Sequence, residues 1–471
     1  MNTKQEGTPL VHVTTSRVEP VVTADGKGVV SHAGTVLLGE LADRTGLTAG
    51  FADAASGLRQ RRAGHDPGRV LVDLAVAVAD GAETITDLQV LADQPDLHGP
   101  VASTATAWRV LAGIDEVMLD GLRLARAAAR DRAWLARAEL TGHVLPPSRA
   151  GGRDVKAVVI DIDATLVTAH SEKEGAAGTF KHGFGYHPIV AYLDNTNEAL
   201  AAILRPGNAG SNTATDHIAV LDLALTQLPD AVRSDPILVR TDGAGSSHAF
   251  LAHLAGAGFA YSTGYGVTDA VRAAITKIPG WVWTPTVDTI GGHRDGADVA
   301  EVTGLLDLTG WPDGMRVLVR RERPHPGAQL DAFEHRDGYR YQAFATNTPR
   351  GQLAFLDARH RVHARVEDRI RTGKDTGIGR FPSREFSINA AWLELALTAA
   401  DLLAWTQTML LDGDLATAEP KKLRYRLLHC AARVTHGQRK VYLRIAEHWP
   451  WAVDLARAFQ RLRQIPPPLL A

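Results

Sequence analysis

Two aspartates lie inside one short apolar run, which reads VVIDIDATLV over residues 158–167. The run predicts a buried strand, and side chains alternate along a strand, so Asp161 and Asp163 should project to the same face. Two carboxylates on one face repel each other unless a positive charge lies between them. A divalent ion held by oxygen ligands commonly supplies that charge. The pattern therefore indicates a metal site; the alternative, capping or turn aspartates at a strand end, fits the apolar surroundings less well.

Two more acids occupy positions where a catalytic site would form. Asp242 follows the apolar stretch at 237–241 and precedes Gly243, and ligand sites of open α/β sheets form at such strand ends. Glu367 lies in a predicted helix, HRVHARVEDRIRT at 360–372. A helix N-cap is the alternative for the first acid, and a salt-bridged face for the second. With Asp163 they could converge on two magnesium ions, which activate water and hold the reacting oxygens of a phosphodiester.

Alternating strands and helices surround these acids. Strands are predicted at 187–194, 199–205 and 237–240, and a helix at 216–227, which indicates an α/β sheet with helices on its faces. A mainly β segment follows, with three tryptophans, and returns to the sheet near residue 340. Those aromatic residues could stack on nucleic acid or form the core of a small β unit.

Residues 1–150 predict an all-helical domain. Helices are expected at 35–44, near 48–58, at 69–80 and at 113–140. The first two are compatible with a helix-turn-helix and equally with two packed helices. Arginines surround the long fourth helix, at positions 123, 126, 130, 132 and 137. A linker at 146–153 ends the domain.

The C-terminal part combines an apolar helix with a basic region. The segment 387–411 predicts a buried core helix. From Lys421 onward only Glu447 and Asp454 oppose eleven Lys and Arg residues. Such an excess suits a polyanion, although a solvated helix face is the alternative. The 471-residue chain has one Cys and no signal-peptide pattern, so we expect a cytoplasmic protein of several domains without a membrane span or disulfides.

These motifs together resemble the DDE transposases of bacterial insertion sequences. The similarity is greatest to the group with a Tyr-Arg-Glu-Lys signature helix and a β insertion before the Glu, and within it to the IS-thirteen-eighty type. It rests on DIDATLVTAHSEKEGAAGTFKHGFGYHP at 161–188, LRPGNAGSN at 204–212, RTDGAGSSHAF at 240–250 and HARVEDRIRTGKDTG at 363–377. The resemblance implies a ribonuclease-H-like mixed sheet at 151–265 and 340–415, a helical DNA-binding domain at 1–150, a β insertion at 266–339 and a basic C-terminal region at 416–471.

The resemblance also implies the site and the partners. The catalytic acids are Asp163, Asp242 and Glu367, with Asp161 as an alternative ligand, and they hold two Mg²⁺ or Mn²⁺ ions. The partners are double-stranded DNA, as terminal inverted repeats and target, and a second copy of the chain in a nucleoid-associated synaptic complex. Water nicks a strand, and the freed 3′-hydroxyl carries out strand transfer. Contacts with DNA are expected from Arg240, His360, His363, Arg371, Lys374, Lys421 and Lys422.

The signature helix departs from the family pattern at two positions. Lys374 matches the family Lys, but His360 stands at the Tyr position and His363 at the Arg position. A histidine still contacts phosphate, yet the bidentate geometry of arginine is lost.

Two other functions compete with this interpretation. The DxDxT pattern is also the signature of haloacid-dehalogenase phosphatases, with Asp161 as nucleophile, Asp163 as acid/base and one magnesium ion. That mechanism needs a later acidic pair and a Lys on loops, which RTDGAGSSH at 240–248 supplies poorly. A non-catalytic helix-turn-helix regulator would leave the three acids without a role.

Overall fold

The computed structural model describes residues 20–59, 64–210 and 213–468. A short strand, β1 (Val29–Val30), precedes the N-terminal helices. These are α1 (Thr35–Arg44), α2 (Leu47–Ala54), α3 (Pro67–Asp80), α4 (Gln89–Ala92), α5 (Pro95–His98), α6 (Thr104–Ala112) and α7 (Glu116–Thr141). The predicted helices of this region are confirmed, with ends shifted by a few residues.

Local sequence fixes both ends of α3. Asp66 caps its start, because its Oδ1 accepts hydrogen bonds from the backbone N–H groups of Gly68 at 2.9 Å and Arg69 at 3.2 Å. Pro67 occupies the first helical position, where a missing N–H costs nothing. Gly81 ends the helix in the left-handed region, with φ of 116°, which glycine adopts without a steric cost.

The central part of the chain supplies most of the strands. Its elements are β2 (Ser148–Ala150), β3 (Arg153–Val155), β4 (Val158–Ala164), β5 (Val167–Thr168), β6 (Ala177–Gly178), β7 (Phe184–Tyr186), β8 (Ile189–Leu193), β9 (Ala199–Ile203), α8 (Ala214–Thr226), β10 (Ile237–Thr241), α9 (His248–Gly256), β11 (Ala260–Tyr265), α10 (Asp269–Ile275), β12 (Thr284–Val287), β13 (His293–Glu301), β14 (Arg316–Glu322), α11 (Ala332–Asp337) and β15 (Arg340–Thr346). The strands and helices predicted between 187 and 240 are confirmed.

One mixed sheet dominates this part. Its strand order is β12-β13-β14-β15-β11-β10-β4-β8-β9. β10 is parallel to both β4 and β11, whereas β8 and β9 continue antiparallel on the other side of β4. The predicted α/β architecture, a mixed sheet flanked by helices, is therefore confirmed at this level.

The predicted insertion extends that sheet. β15 pairs antiparallel with β11, and β14, β13 and β12 follow outward. Its tryptophans divide between the two alternatives that the sequence left open: Trp283 is buried, whereas Trp281 is 86% exposed. The strands of residues 266–339 thus belong to the same sheet as β4 and β10, with some side chains in the core and others on the surface.

The C-terminal part consists mainly of helices. Its elements are α12 (Leu353–Arg361), α13 (Arg365–Gly373), α14 (Phe386–Trp405), α15 (Gly413–Ala416), α16 (Pro420–Leu423), β16 (Ala432–Gly437), β17 (Lys440–Ile445) and α17 (Ala452–Gln464). With its π-helical end, α14 is long and apolar enough to cross a membrane, but 78% of its apolar stretch is buried inside the protein. It is the core helix that the sequence predicted.

Distant parts of the chain share one hydrophobic core. Buried side chains of α1, α3, α14 and α17 belong to a single cluster, and β1 pairs with β16. The segments predicted as separate domains, 1–150 and 416–471, therefore pack on each other and on α14. This helical body packs on the face of the sheet that carries Asp161 and Asp163, because their partners Tyr192 and Val190 on β8 belong to the same cluster.

Three of the arginines on α7 lie inside the protein, contrary to the expected Arg-decorated surface. Arg126 pairs with Glu394 and with Asp401, the latter at 2.9 Å. Arg130 pairs with Asp401 and, at 3.2 Å, with Glu198. Arg137 is buried as well. Arg126 and Arg130 are matched by acids distant in sequence, so they connect α7 to α14, and none of the three buried arginines offers a surface for DNA.

Candidate active site

Asp163 and Asp242 lie at the same edge of the sheet. β4 and β10 are parallel neighbours with Ile162 opposite Thr241, so the next residue on each strand is an acid. Asp163 is half-buried, and its Oδ1 accepts a hydrogen bond from the Ala164 N–H at 2.7 Å. Asp242 is exposed. This arrangement is the one predicted from strand alternation and from the strand-end position.

Glu367 approaches this edge from a helix. It lies in the first turn of α13, which packs against β4. Val366 is buried on the packed side, whereas Glu367 is exposed. The helix positions an acid beside the strand ends because its apolar residues hold it on the sheet.

Electrostatic coupling connects the three acids. Burial and, after it, the carboxylate of Asp242 raise the pKa of Asp163 to about 6; Glu367 also raises it, whereas His363 and the Ala164 N–H lower it. Like charges shift a pKa strongly only at short range. The carboxylates of Asp242, just after β10, and Glu367, on α13, are therefore close enough to Asp163 on β4 to repel its negative charge.

This donor set fits divalent ions of the magnesium class. All the donors are carboxylate oxygens, which hard cations prefer, and their repulsion is the kind that a bound cation relieves. Within the described residues, the acids do not form a cluster whose ligand atoms all lie within 4.8 Å of one another. These longer separations between the carboxylate oxygens suit two ions, each shared by a pair of carboxylates, better than one ion bound by all three.

A buried ion network lies beside the acids. Asp161 is fully buried, and its oxygens accept hydrogen bonds from Arg240 at 2.7 and 2.8 Å and from Arg369 at 2.7 Å. The His363 Nδ1 lies 2.9 Å from the same carboxylate. Asp194 pairs with both arginines. Burial alone would raise the pKa of Asp161, but Arg240 and His363 hold it well below its usual range.

The network joins the elements that carry the acids. Asp161, Arg240 and Arg369 each lie two residues from one of the three acids. Their ion pairs cross from β4 to β10 and to α13, so they fix the relative positions of these elements. We name this set, with Asp194 and His363, the buried clamp.

A family model described as "Transposase DDE domain group 1" matches residues 13–467. The chain belongs to this family. It is thus a transposase, an enzyme of DNA transposition with a DDE domain. No curated protein matches the chain. A cryo-EM structure of a piggyBac transposase synaptic complex with hairpin DNA aligns over 93% of this chain and 86% of that chain, at 8% identity and a TM-score of 0.38.

Three residues of the transposase that were expected to contact DNA are bound instead by other parts of the protein. Arg240 is fully buried in the clamp, and His363 is also buried there. His360 stacks on Phe344, with ring centroids 4.6 Å apart, and its Nδ1 lies 3.0 Å from the Ser262 Oγ. Burial lowers the pKa of His360, and His363 lowers it further. The prediction that Arg240 and His363 reach DNA is wrong, because long-range partners hold both in the interior. The half-buried His360 is turned towards Phe344 and Ser262, so its expected DNA contact is not supported.

The helix predicted at 360–372 is not continuous. A 3₁₀ turn at Val362–Ala364 separates α12 from α13. The residues before the break turn inward, whereas Glu367 and Arg371 are exposed. Only the second half of the predicted helix therefore presents its charges to solvent.

The remaining expected DNA contacts are on the surface. Lys374 donates a hydrogen bond to the Leu166 carbonyl at 2.9 Å, and burial, with Lys181 nearby, lowers its pKa. Arg371 pairs with Asp368 and Glu419. Lys421 pairs with Asp375 at 2.9 Å, and Lys422 is exposed. These four cations are accessible to a polyanion.

The clamp decides between the two aspartates of the DxDxT stretch. Donor groups occupy both oxygens of Asp161, so this side chain is a structural ion-pair partner and the expectation of a metal ligand is not supported. The same burial excludes Asp161 as the nucleophile of a phosphatase. Asp163, which is half-buried and coupled to Asp242, is the aspartate of this stretch that lies at the accessible strand end.

Sequence reasoning missed Asp194 and Arg369. Each lies near a motif that was recognised, but their charges looked like ordinary surface charges. Arg369 stands two residues after Glu367 on the buried side of α13, and the helical period was the only available signal. Asp194 ends β8, and nothing in the sequence connects it to an arginine more than forty residues away.

Removal of the Asp163 charge should stabilise the metal-free protein at neutral pH. The folded-state pKa of about 6 exceeds the ordinary value of 3.8, so the stability contributed by the neutral carboxyl is complete below about pH 4 and is lost as the pH rises through about 6. In chelator, we expect Asp163→Asn to exceed wild type by about 3 kcal/mol in unfolding free energy near pH 8, and to match it near pH 4. Urea denaturation across this range measures the difference.

Saturating magnesium serves as the control, because a bound cation removes the repulsion and with it the advantage of the neutral side chain. Equal stability of the two proteins at every pH in chelator would contradict the coupling of the three acids.

Proposed function

We propose that this transposase binds the terminal inverted repeats of its mobile element and cleaves DNA strands there with Asp163, Asp242 and Glu367. The observation that carries the proposal is the meeting of these acids at one sheet edge, where burial and mutual repulsion raise the pKa of Asp163 to about 6. Such a site needs divalent cations to be neutralised, and phosphodiester chemistry uses those cations.

The strand order supports a ribonuclease-H-like core for the proposed chemistry. The order β9-β8-β4-β10-β11, with an antiparallel part and a parallel part on either side of the central β4, is the arrangement expected of such a core. Membership in the Tyr-Arg-Glu-Lys group, and in its IS-thirteen-eighty type, remains part of the proposal, since His360 and His363 depart from the signature.

The residues of the site have distinct tasks in this proposal. Asp163, Asp242 and Glu367 hold two ions, Mg²⁺ or Mn²⁺, which when bound lower the pKa of a water molecule and offset phosphate charge. The Ala244 N–H, 2.9 Å from the Asp242 Oδ1, orients that carboxylate. The buried clamp keeps the three acids at fixed separations. Lys374 and Arg371 offer positive charge to the DNA backbone beside Glu367.

A basic hairpin extends the proposed DNA surface. In β16–β17, Arg433 lies directly opposite Arg444, and both are exposed. Like charges in this position destabilise a hairpin, so an anionic partner would stabilise it. Arg439 and Lys440 at the turn add to the charge.

We further propose that two copies of the chain hold two element ends in a synaptic complex, and that the freed 3′-hydroxyl attacks target DNA. Trp281 of the β insertion, largely exposed, offers an aromatic face on which an unpaired base could stack.

The function is tested with the two DNA segments that flank the gene of the transposase, end-labelled and incubated with protein and magnesium. We expect cleavage at one fixed position in each segment and none in a shuffled sequence. A protein that leaves both segments intact but hydrolyses a phosphate monoester such as p-nitrophenyl phosphate would overturn the proposal in favour of a phosphatase.

Neutralising the hairpin arginines should weaken DNA binding in a salt-dependent way. Each phosphate contact contributes about 0.9 to the slope of log affinity against log salt, so Arg433→Gln with Arg444→Gln should lower that slope by about 2. Titration of labelled DNA by fluorescence anisotropy at several salt concentrations measures it. Arg233→Gln is the matched control. Arg233 is an exposed cation just before the start of β10, whereas the acids lie at the other end of that strand. An unchanged slope in the double variant would contradict a hairpin contact with DNA.

A further inference from the structure

A second cluster of metal-binding side chains lies far along the chain from the catalytic acids. It consists of His32, which follows β1, Asp80, the last residue of α3, and His429, which precedes β16. The His32 Nδ1 lies 2.6 Å from the Asp80 Oδ2, and the His429 Nε2 lies 3.1 Å from the Asp80 Oδ1. The two imidazole rings are 4.2 Å apart. One ligand atom from each residue lies within 4.8 Å of the other two.

We propose that His32, Asp80 and His429 bind one zinc ion. Zinc bonds to imidazole nitrogen and carboxylate oxygen are about 2.0–2.2 Å long, so tetrahedral ligands lie about 3.4 Å apart. The separations of 2.6 and 3.1 Å seen here are shorter, and small side-chain rotations would widen them to admit the ion. Two imidazoles and one carboxylate select zinc-like transition ions over magnesium or calcium, which prefer oxygen alone. A water molecule would complete the coordination.

Among the residues that the structure describes, the carboxylate at the centre of the cluster lacks a full set of partners. The Asp80 side chain is only 5% exposed, and its buried Oδ1 accepts no hydrogen bond from any of them. The nearby His429 Nε2 is hydrogen-bonded instead to the Asp80 carbonyl oxygen at 3.1 Å. A buried carboxylate oxygen without a donor is costly, and an ion between it and the two imidazoles would satisfy it.

The two histidines are placed for ion entry and for ligation. Their side chains are 26% and 38% exposed, respectively, so an ion reaches them from solvent. His32 adopts φ of 53°, a conformation that non-glycine residues seldom adopt and that tends to be kept at binding sites. The ligand set therefore combines a buried anchor with two accessible donors.

An ion here would join both ends of the described chain. Ala33 already donates a backbone hydrogen bond to Cys430 at 3.0 Å, and Gly34 to Leu428 at 3.1 Å. The ligands come from residues 32, 80 and 429, so one ion would hold together segments far apart in sequence. It would stabilise the folded state by its binding free energy. Zinc would act as a structural staple between the N-terminal helices and the basic C-terminal region.

The test uses the full chain with Asp163→Asn and Glu367→Gln in every sample, so that the catalytic acids bind no competing ion. After removal of metals with chelator, Co²⁺ is added and its visible absorption is recorded, and Zn²⁺ is added while thermal unfolding is followed. We expect intense tetrahedral Co²⁺ bands that saturate at one ion per chain, and a rise in Tm of a few degrees with Zn²⁺ but not with Mg²⁺.

Three substitutions locate the site: His32→Gln, Asp80→Asn and His429→Gln should each abolish the Co²⁺ bands. His436→Gln, an exposed histidine on the neighbouring β16, should retain them. The protein that keeps all three ligands tests the proposal through its own Co²⁺ spectrum. The test therefore does not depend on the folding of any one variant. Absence of the bands, or bands that survive all three substitutions, would overturn the proposal and leave ordinary His–Asp hydrogen bonds. DNA cleavage is not needed for any readout.

Discussion

Asp163→Asn, Asp242→Asn and Glu367→Gln should each slow DNA strand cleavage at an element end by more than about a hundredfold. Loss of an outer-shell partner of a metal ligand typically costs 10- to 100-fold, and these substitutions remove a charged ligand itself. Each also leaves the side-chain shape nearly unchanged, so the loss would reflect charge and ligation. Cleavage of end-labelled DNA in magnesium, under single-turnover conditions, measures the rate.

DNA binding and a neighbouring acid provide the controls for this prediction. Gel-shift titration without divalent ions should show equal or tighter binding by the three variants, because each loses a negative charge that repels phosphate. Asp368→Asn, one residue from Glu367 and exposed on the same helix, should cleave at close to the wild-type rate. Cleavage that survives Asp242→Asn or Glu367→Gln would contradict the assigned triad.

Asp161→Asn should destabilise the fold by about 3–5 kcal/mol, the usual cost of breaking a buried ion pair from one side. The substitution removes the negative charge that Asp161 places beside Arg240 and Arg369. Both arginine side chains are at most 7% exposed, so water cannot replace it. Urea denaturation at pH 7 measures the loss. In chelator, Asp163→Asn should instead increase the free energy of unfolding, because the neighbours of Asp163 repel its negative charge.

Asp120→Asn is the matched control, because Asp120 pairs with Arg123 at the surface and is 66% exposed. Such a pair contributes at most about 1 kcal/mol. An Asp161→Asn protein that is as stable as wild type but inactive would contradict the clamp and make Asp161 a catalytic ligand. Asp161, and not Asp163, would then be the essential acid of the DxDxT stretch.

Strand periodicity was sufficient to anticipate part of the site. Asp163 and Asp242 follow apolar runs, and the ends of parallel strands meet at one edge of a sheet, so their proximity could be argued from sequence. Glu367 could be placed on a helix by its apolar period. The resemblance in four motifs indicated the transposase family, which the family model confirms. Whether the three acids perform catalysis stays a prediction until the variants are measured.

Long-range packing decided which charges reach the surface. Arg240 was expected to contact DNA, and Arg126 was one of the arginines around the predicted long helix. Their partners lie 79 and 268 residues away in the chain. His363 was withdrawn into the core by the same carboxylate that holds Arg240.

Local pattern therefore determined the elements, their buried faces and the strand-end acids of this protein, because these depend on neighbours within a few residues. The tertiary structure alone decided the clamp, the shared core of the two chain ends and the cluster around Asp80. A buried charge is stable only opposite a partner, and the chain's path in space, not its order, supplies that partner.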